Sequence, residues 1–239
     1  MAIIQNYLTN NDCYNFSVVM DKRPRGLMLH SVGCAQDKAS VFLRMWNTSG
    51  IKIGVHGIID GVTGDCFQCL PWKWQGWHAG GSANADYIGV EMCEPSQIVY
   101  DGYSDKFTIQ PYDLEQARET VSKCYIGAVS TFANLCVEFN IDPLGEKNIV
   151  SHSEGHKYGI ASGHTDPEHL WKGLGCNYTM NGFRHDVKVV YDHLKDKKDN
   201  YIYRIQCGAF TQKHYAEDYL RRVKNAGFDD AFILEQKLN

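Results

Sequence analysis

Apolar and polar positions along this 239-residue chain switch repeatedly between a strand-like and a helix-like period. Gly26-Leu27-Met28-Leu29-His30 is a short apolar run ending on a histidine, between the charged segment Asp21 to Arg25 and Ser31-Val32-Gly33. It predicts a buried strand that delivers His30 to the edge of a sheet. Ala39, Phe42, Leu43 and Trp46 then recur at helical spacing, with Asp37 as the candidate cap. Ile53 to Asp60 and Asp65 to Leu70 flank the turn Gly61-Val62-Thr63-Gly64 and predict a hairpin with His56 in its first strand. Pro71 to Ala85 is a loop rich in tryptophan and glycine, and Tyr87 to Cys93 is a further strand.

From Tyr112 to Phe139 the apolar positions step by three and four, which predicts the longest helix, with one continuous stripe for packing on the sheet. Asn148 to Ser151 is a short strand leading into His152, and Phe183 to Leu194 a helix. Lys195 to Asn200 (KDKKDN) is a solvated charge run that serves as a linker. Beyond it the pattern predicts strand (Tyr201 to Gln206), helix (Ala216, Tyr219, Leu220, Val223) and strand (Ala231 to Leu234), a small βαβ unit. The chain is therefore an α/β protein with a main domain over 1–180, a helix and charged linker over 181–200, and a small unit over 201–239.

Charge sets the tail apart as well. From Arg184 on there are eleven Lys and Arg against nine Asp and Glu, a balance of +2, whereas the preceding part carries −6. The net charge of −4 argues against a nucleic-acid binder that works through bulk electrostatics. No run of eighteen or more apolar residues exists, so no membrane span is expected. The first residues, MAIIQNYLTNNDCYNF, have no basic region followed by a sustained apolar one, so a secretory signal peptide is not expected. Nine cysteines without disulfide-scaffold spacing fit mostly reduced thiols. Cys66-Phe67-Gln68-Cys69 is a CxxC with no second pair to complete a zinc set, which makes it weak evidence for a metal or redox role.

The densest chemistry lies between Val150 and Trp171. This loop-like, glycine-punctuated stretch holds His152, His156, His164 and His169, with Asp166 two residues after His164. Taken singly each histidine is more often structural, but together they point to a metal site. Catalytic zinc commonly takes three nitrogen or carboxylate ligands and leaves a fourth position open, so a third ligand should come from elsewhere. His30 and His152, each delivered by a strand, are what a preorganised site needs. Glu91 is the sole charged residue of an apolar strand, costly to bury unless paired or functional. Trp72, Trp74, Trp77 and His78 form either a satellite apolar cluster or the wall of a ligand cleft.

With His30, Glu91, His152 and Asp166 in hand, the chain resembles the zinc-dependent N-acetylmuramoyl-L-alanine amidases of the type 2 class, found among phage endolysins and autolysins. The resemblance covers roughly Gly26 to Gly175. It rests on Leu29-His30-Ser31, Val55-His56-Gly57-Ile58-Ile59-Asp60, Trp77-His78-Ala79-Gly80, Ile88-Gly89-Val90-Glu91, Ser151-His152 and His164-Thr165-Asp166-Pro167. It implies a central mixed β-sheet flanked by helices, zinc held by His30, His152 and Asp166, and Glu91 as the catalytic carboxylate. His56, Trp77 and His78 fall near the implied substrate cleft. Many members carry a lysine two residues before the third ligand; here that position is His164, which could support an oxyanion as a hydrogen-bond donor.

The implied reaction is hydrolysis of the amide between N-acetylmuramic acid and the first L-alanine of the peptidoglycan stem peptide. The competing reading is a peptidoglycan-recognition protein of the same fold that binds without cutting; such proteins typically lack the third ligand. Tyr203 to Phe210 resembles the first half of a sporulation-related repeat domain, which implies a partial unit that binds glycan strands or associates with a partner. Synthesis in a host cytoplasm and action on the wall after release are expected.

Overall fold

The computed structural model describes residues 1–102, 105–199, 206–229, 231–235 and 237. Its elements are β1 (Ile3–Gln5), α1 (Asp12–Phe16), β2 (Gly26–Ser31), α2 (Ala39–Trp46), β3 (Gly57–Ile59), β4 (Cys66–Gln68), β5 (Tyr87–Met92), β6 (Val99–Tyr100), β7 (Phe107–Thr108), α3 (Leu114–Phe139), β8 (Ile149–Ser151), α4 (His152–Lys157), α5 (Glu168–Gly173), α6 (Met180–Asp199) and α7 (Lys213–Asn225). They fall into two compact units, Met1–Lys198 and Asp199–Asn239.

Six strands of the first unit form one mixed sheet in the order β1-β4-β3-β5-β2-β8. β2 pairs in parallel with both β5 and β8, β3 runs parallel to β5, and β4 closes an antiparallel hairpin with β3. The expected α/β architecture is thus present. The hairpin strands are shorter than their alternating pattern, because pairing is confined to Gly57–Ile59 and Cys66–Gln68.

The strand interiors read as apolar runs because both faces of the sheet are covered. Leu27, Leu29, Ile88 and Val90 enter the main core, where they meet the α3 stripe of Ala117, Val121, Cys124, Ala128 and Phe132. Met28, Tyr87 and Val150 enter a second, smaller cluster with Ala79 and Ala83. Successive side chains alternate between faces, so His30 shares the face of Met28. Glu91 is its in-register neighbour on β5. The two-residue period therefore separates the scaffold face from the chemical face. α3 is the helix its periodicity predicts, and it ends at Asn140 in the left-handed region (φ 51°).

Several expectations change. Asp37 does not cap α2; Asp60 does, accepting from the Ala39 N–H at 2.9 Å while its other oxygen accepts from Val62 and Thr63 in the hairpin turn. One buried carboxylate thus fixes a helix start and a turn at once. The 150–171 stretch is not a loop throughout, since α4 and α5 occupy its ends. Lys195 to Asp199 continues α6 rather than forming an irregular linker. Cys66 and Cys69 are buried core residues, and all nine cysteines are free thiols.

In the second unit α7 lies where helical spacing placed it. The strand expected over 201–206 falls, except for Gln206, outside the described residues. Ala231 to Leu234 is irregular rather than a strand, because among the described residues no ladder pairs with it, and Phe232 and Leu234 remain exposed. Among the described residues no helix is long and apolar enough to cross a membrane.

Candidate metal centre

Two strand ends and one loop meet on the chemical face of the sheet. β2 delivers His30, β8 runs directly into His152 at the start of α4, and the loop before α5 delivers Asp166. All three side chains are buried, and each offers one donor atom within 4.8 Å of the others. His30 Nδ1 lies 3.0 Å from His152 Nδ1 and 3.4 Å from Asp166 Oδ2, and His152 Nδ1 lies 3.5 Å from Asp166 Oδ1. Donors bonded to one tetrahedral zinc at about 2.0–2.1 Å stand about 3.3 Å apart, so this donor set fits such an ion. Two imidazoles with one carboxylate also match zinc in ligand type.

Each ligand is held from behind. Ser151 caps α4 by accepting from the Glu154 N–H at 3.0 Å, and the Glu154 carboxylate accepts in turn from the Ser151 N–H at 3.2 Å. Arg184 of α6 clamps the same carboxylate at 2.8 and 3.0 Å, and Ser151 Oγ donates to Glu168 at 2.6 Å. This fixes the first turn of α4 and therefore His152. Asp166 accepts from the Ser31 N–H at 3.2 Å. The end of β2 is anchored by the wholly buried Glu94, which accepts from Ser31 Oγ, the Gly33 N–H and Tyr100 OH at 2.7, 3.1 and 2.7 Å.

The second ring nitrogens of both histidines are also engaged. His30 Nε2 lies 2.9 Å from His78 Nδ1, and His78 Nε2 lies 3.1 Å from the Tyr87 carbonyl. His152 Nε2 lies 3.3 Å from Ser162 Oγ, which reaches the Ala79 carbonyl at 3.2 Å. Burial opposes charge on His30, but the Glu91 and Asp166 carboxylates outweigh it and raise its pKa. His152 is driven down to about 4 by burial and by the charge of His30. Asp166 is disfavoured by burial, yet hydrogen bonding and charge from His30, with His152 adding, hold it below the usual carboxylate range. The carboxylate is therefore ionised and ready to ligate a cation.

Glu91 has the opposite electrostatics. Burial pushes its carboxyl up to about 8, only partly offset by His30 and reinforced by Asp166 and Glu94. Its Oε2 is buried without a hydrogen-bond partner among the described residues. An unpartnered carboxylate oxygen beside a cluster of metal-ligand type is poised for a proton rather than for structure.

Residues 20–169 match the model of the N-acetylmuramoyl-L-alanine amidase family. The chain belongs to that family. Its fold is shared with the Staphylococcus aureus hydrolase AmiA, solved with its ligand, at a TM-score of 0.59 and 17% identity, covering 82% of this chain and 86% of that one. The catalytic domain of XlyA superposes at 0.53 with 22% identity, covering 78% and 99%. A mutant endolysin from Bacillus subtilis superposes at 0.52 with 20% identity, again covering 78% and 99%. No curated protein matches the chain.

Within the amidase-family domain, two of the remaining expected residues, His56 and His78, change meaning. His56 is fully buried; its Nε2 meets the Trp74 carbonyl at 2.7 Å and its Nδ1 accepts from the Gly89 N–H at 3.0 Å. With both nitrogens committed to backbone, it ties the tryptophan loop to β5 and has nothing left for a substrate. His78 is likewise committed at both nitrogens and supports His30 instead of facing a ligand. Of the tryptophans, Trp72 packs on the main core and Trp74 on Tyr14 at 5.0 Å, so they are a structural cluster. Trp77 is half-buried, its backbone bridged to Gly54. His164 is exposed, its ring 4.6 Å from that of His152. His156 is exposed, and His169 bonds Tyr100 OH at 2.9 Å, so neither joins the ligand group. Ser162 and Glu94 were not singled out by the sequence pattern, since nothing in their spacing marks them.

The burial of His56 carries a prediction. Desolvation pushes it down to about 4, with the bond to Trp74 only partly opposing, whereas an unfolded histidine titrates near 6.5. Between these values the unfolded state binds the extra proton. The stabilisation is complete above pH 6.5 and is lost as pH falls toward 4, about 3 kcal/mol in all. Chemical denaturation at pH 7.5 and 4.5 should show a smaller pH difference for His56→Gln than for the wild type.

Proposed function

We propose that the chain is a zinc-dependent amidase that cleaves the amide between N-acetylmuramic acid and L-alanine in bacterial peptidoglycan. The observation that carries this reading is the buried His30–His152–Asp166 donor set beside a raised, unpartnered Glu91. When bound, zinc supplies Lewis acidity for the scissile carbonyl and lowers the pKa of water to about 7. Glu91 takes the proton of the attacking water and passes it to the leaving amine; a carboxyl lifted towards neutrality suits both transfers. His164, exposed beside His152, donates to the developing oxyanion, a contribution of about 3 kcal/mol where such donors have been removed elsewhere. Trp77 offers the aromatic wall for the glycan or stem peptide.

A binding protein without activity has no use for a desolvated Glu91, which favours the enzyme. The second unit is proposed as a wall-binding element on its sequence resemblance alone, and action on the wall after release follows from the same reading. Chelation is expected to abolish turbidity loss of susceptible cell walls, and added zinc to restore it. Digestion should release new L-alanine amino groups; new reducing sugar ends instead, or lysis that resists chelator, would overturn the assignment.

A further inference from the structure

We infer that His78 and Ser162, joined through the Trp77–Gly80 segment, form one outer support that fixes both histidine ligands in the tautomer presenting Nδ1 to the metal. The inference rests on the metal-site reading above and deepens it. Its starting point is the Tyr87 carbonyl, which can only accept. The His78 Nε2 facing it at 3.1 Å therefore carries the hydrogen. An imidazole that donates through Nε2 accepts through Nδ1 in its neutral form. Its Nδ1 is thus a bare acceptor, and His30 Nε2, 2.9 Å away, must donate to it. With a cation in place of any proton on Nδ1, the one hydrogen His30 keeps sits on Nε2, and Nδ1 ligates.

The second ligand is fixed by the same logic. Ser162 Oγ lies 3.2 Å from the Ala79 carbonyl, to which it donates, so its oxygen accepts from His152 Nε2–H at 3.3 Å. His152 Nδ1 then faces His30 Nδ1 at 3.0 Å. Both relays end on consecutive residues, His78 and Ala79. That pair is itself immobilised: the His78 and Ala79 N–H groups both donate to Asn84 Oδ1 at 2.9 and 2.7 Å, and Ser162 N–H donates to the Ala79 carbonyl at 2.8 Å. A Cβ on Gly89 would overlap the His78 ring, so β5 carries a glycine where the ring must seat. Outer partners of this kind orient ligating imidazoles and raise their basicity. His78 and Ser162 are positioning residues that act through the ligating imidazoles.

The test uses the full chain, stripped of metal and titrated with zinc against a chromophoric chelator, with imidazole nitrogen NMR of the metal-free protein. His78→Ala should weaken zinc binding about 10- to 100-fold, and Ser162→Ala about 10-fold. His78→Asn, whose Oδ1 can replace Nδ1 as the acceptor for His30, should recover most of the His78→Ala loss. NMR should show His78 of the metal-free wild type as the Nε2–H tautomer at neutral pH. Unchanged zinc affinity in folded His78→Ala, an asparagine no better than alanine, or His78 as the Nδ1–H tautomer would overturn the inference. A wild type that takes up no zinc would sink the metal reading, while the tautomer found by NMR would still decide the relay.

Discussion

Asp166→Ala should lose its metal and its wall-hydrolysing activity together. Asp166 is the one anionic donor of the three, buried and held ionised by the two imidazoles and the Ser31 N–H. Its removal leaves two nitrogens and no anionic ligand for a divalent cation in a desolvated site. Loss of an outer partner alone costs about 10- to 100-fold in affinity, so loss of a direct ligand should exceed the upper end of that range. Asp166→Asn keeps the acceptor for Ser31 but not the charge, and should fall between the two. Zinc per chain by elemental analysis, read beside turbidity loss, checks this. Full zinc stoichiometry in Asp166→Ala would remove the aspartate from the ligand set. In the metal-free protein the same change leaves His30 without its 3.4 Å carboxylate partner, so a loss of about 1–3 kcal/mol of stability is expected as well.

What the sequence disclosed follows from how local each signal is. β2, β5 and α3 were legible because a period of two or of three to four belongs to the element itself, and the core confirms those positions. His30 and His152 were placed by the strands that run into them, and Glu91 by being a lone charge in an apolar run. α4 was missed although Ser151 and Glu154 stand at capping-box spacing; the crowd of histidines read more strongly than the cap. The fates of His56 and His78 were hidden for a different reason. Their partners, the Trp74, Gly89, Tyr87 and His30 groups, meet them only once the loop over 71–85 folds back on β5, and no spacing encodes that return. Asp60 displacing Asp37 as the cap of α2 is the same lesson, because the acceptor comes from 21 residues away.

Glu91→Gln should separate chemistry from metal binding and raise stability at the same time. Glu91 is not in the donor set, so the variant should retain zinc at the wild-type ratio while turnover drops by about 10²–10⁴-fold, the usual contribution of a positioned proton carrier. Stability moves the other way. In the metal-free fold the carboxyl titrates near 8, whereas an unfolded glutamate titrates near 4.5. The native state therefore holds the extra proton between those values. Wild-type stability falls as pH rises through that window and levels off above it, because the folded chain must then carry a desolvated charge. Glutamine keeps the shape and is never charged. Metal-free Glu91→Gln should accordingly be more stable than the metal-free wild type at pH 8 by on the order of 4 kcal/mol, and nearly equal to it at pH 4.5. Denaturation of both proteins in chelator at the two pH values decides it. An inactive variant with no gain at pH 8 would mean that Glu91 is solvated in the resting site, and its role as a desolvated base would have to be abandoned. A gain at pH 8 with full activity would show instead a strained carboxylate that catalysis does not use.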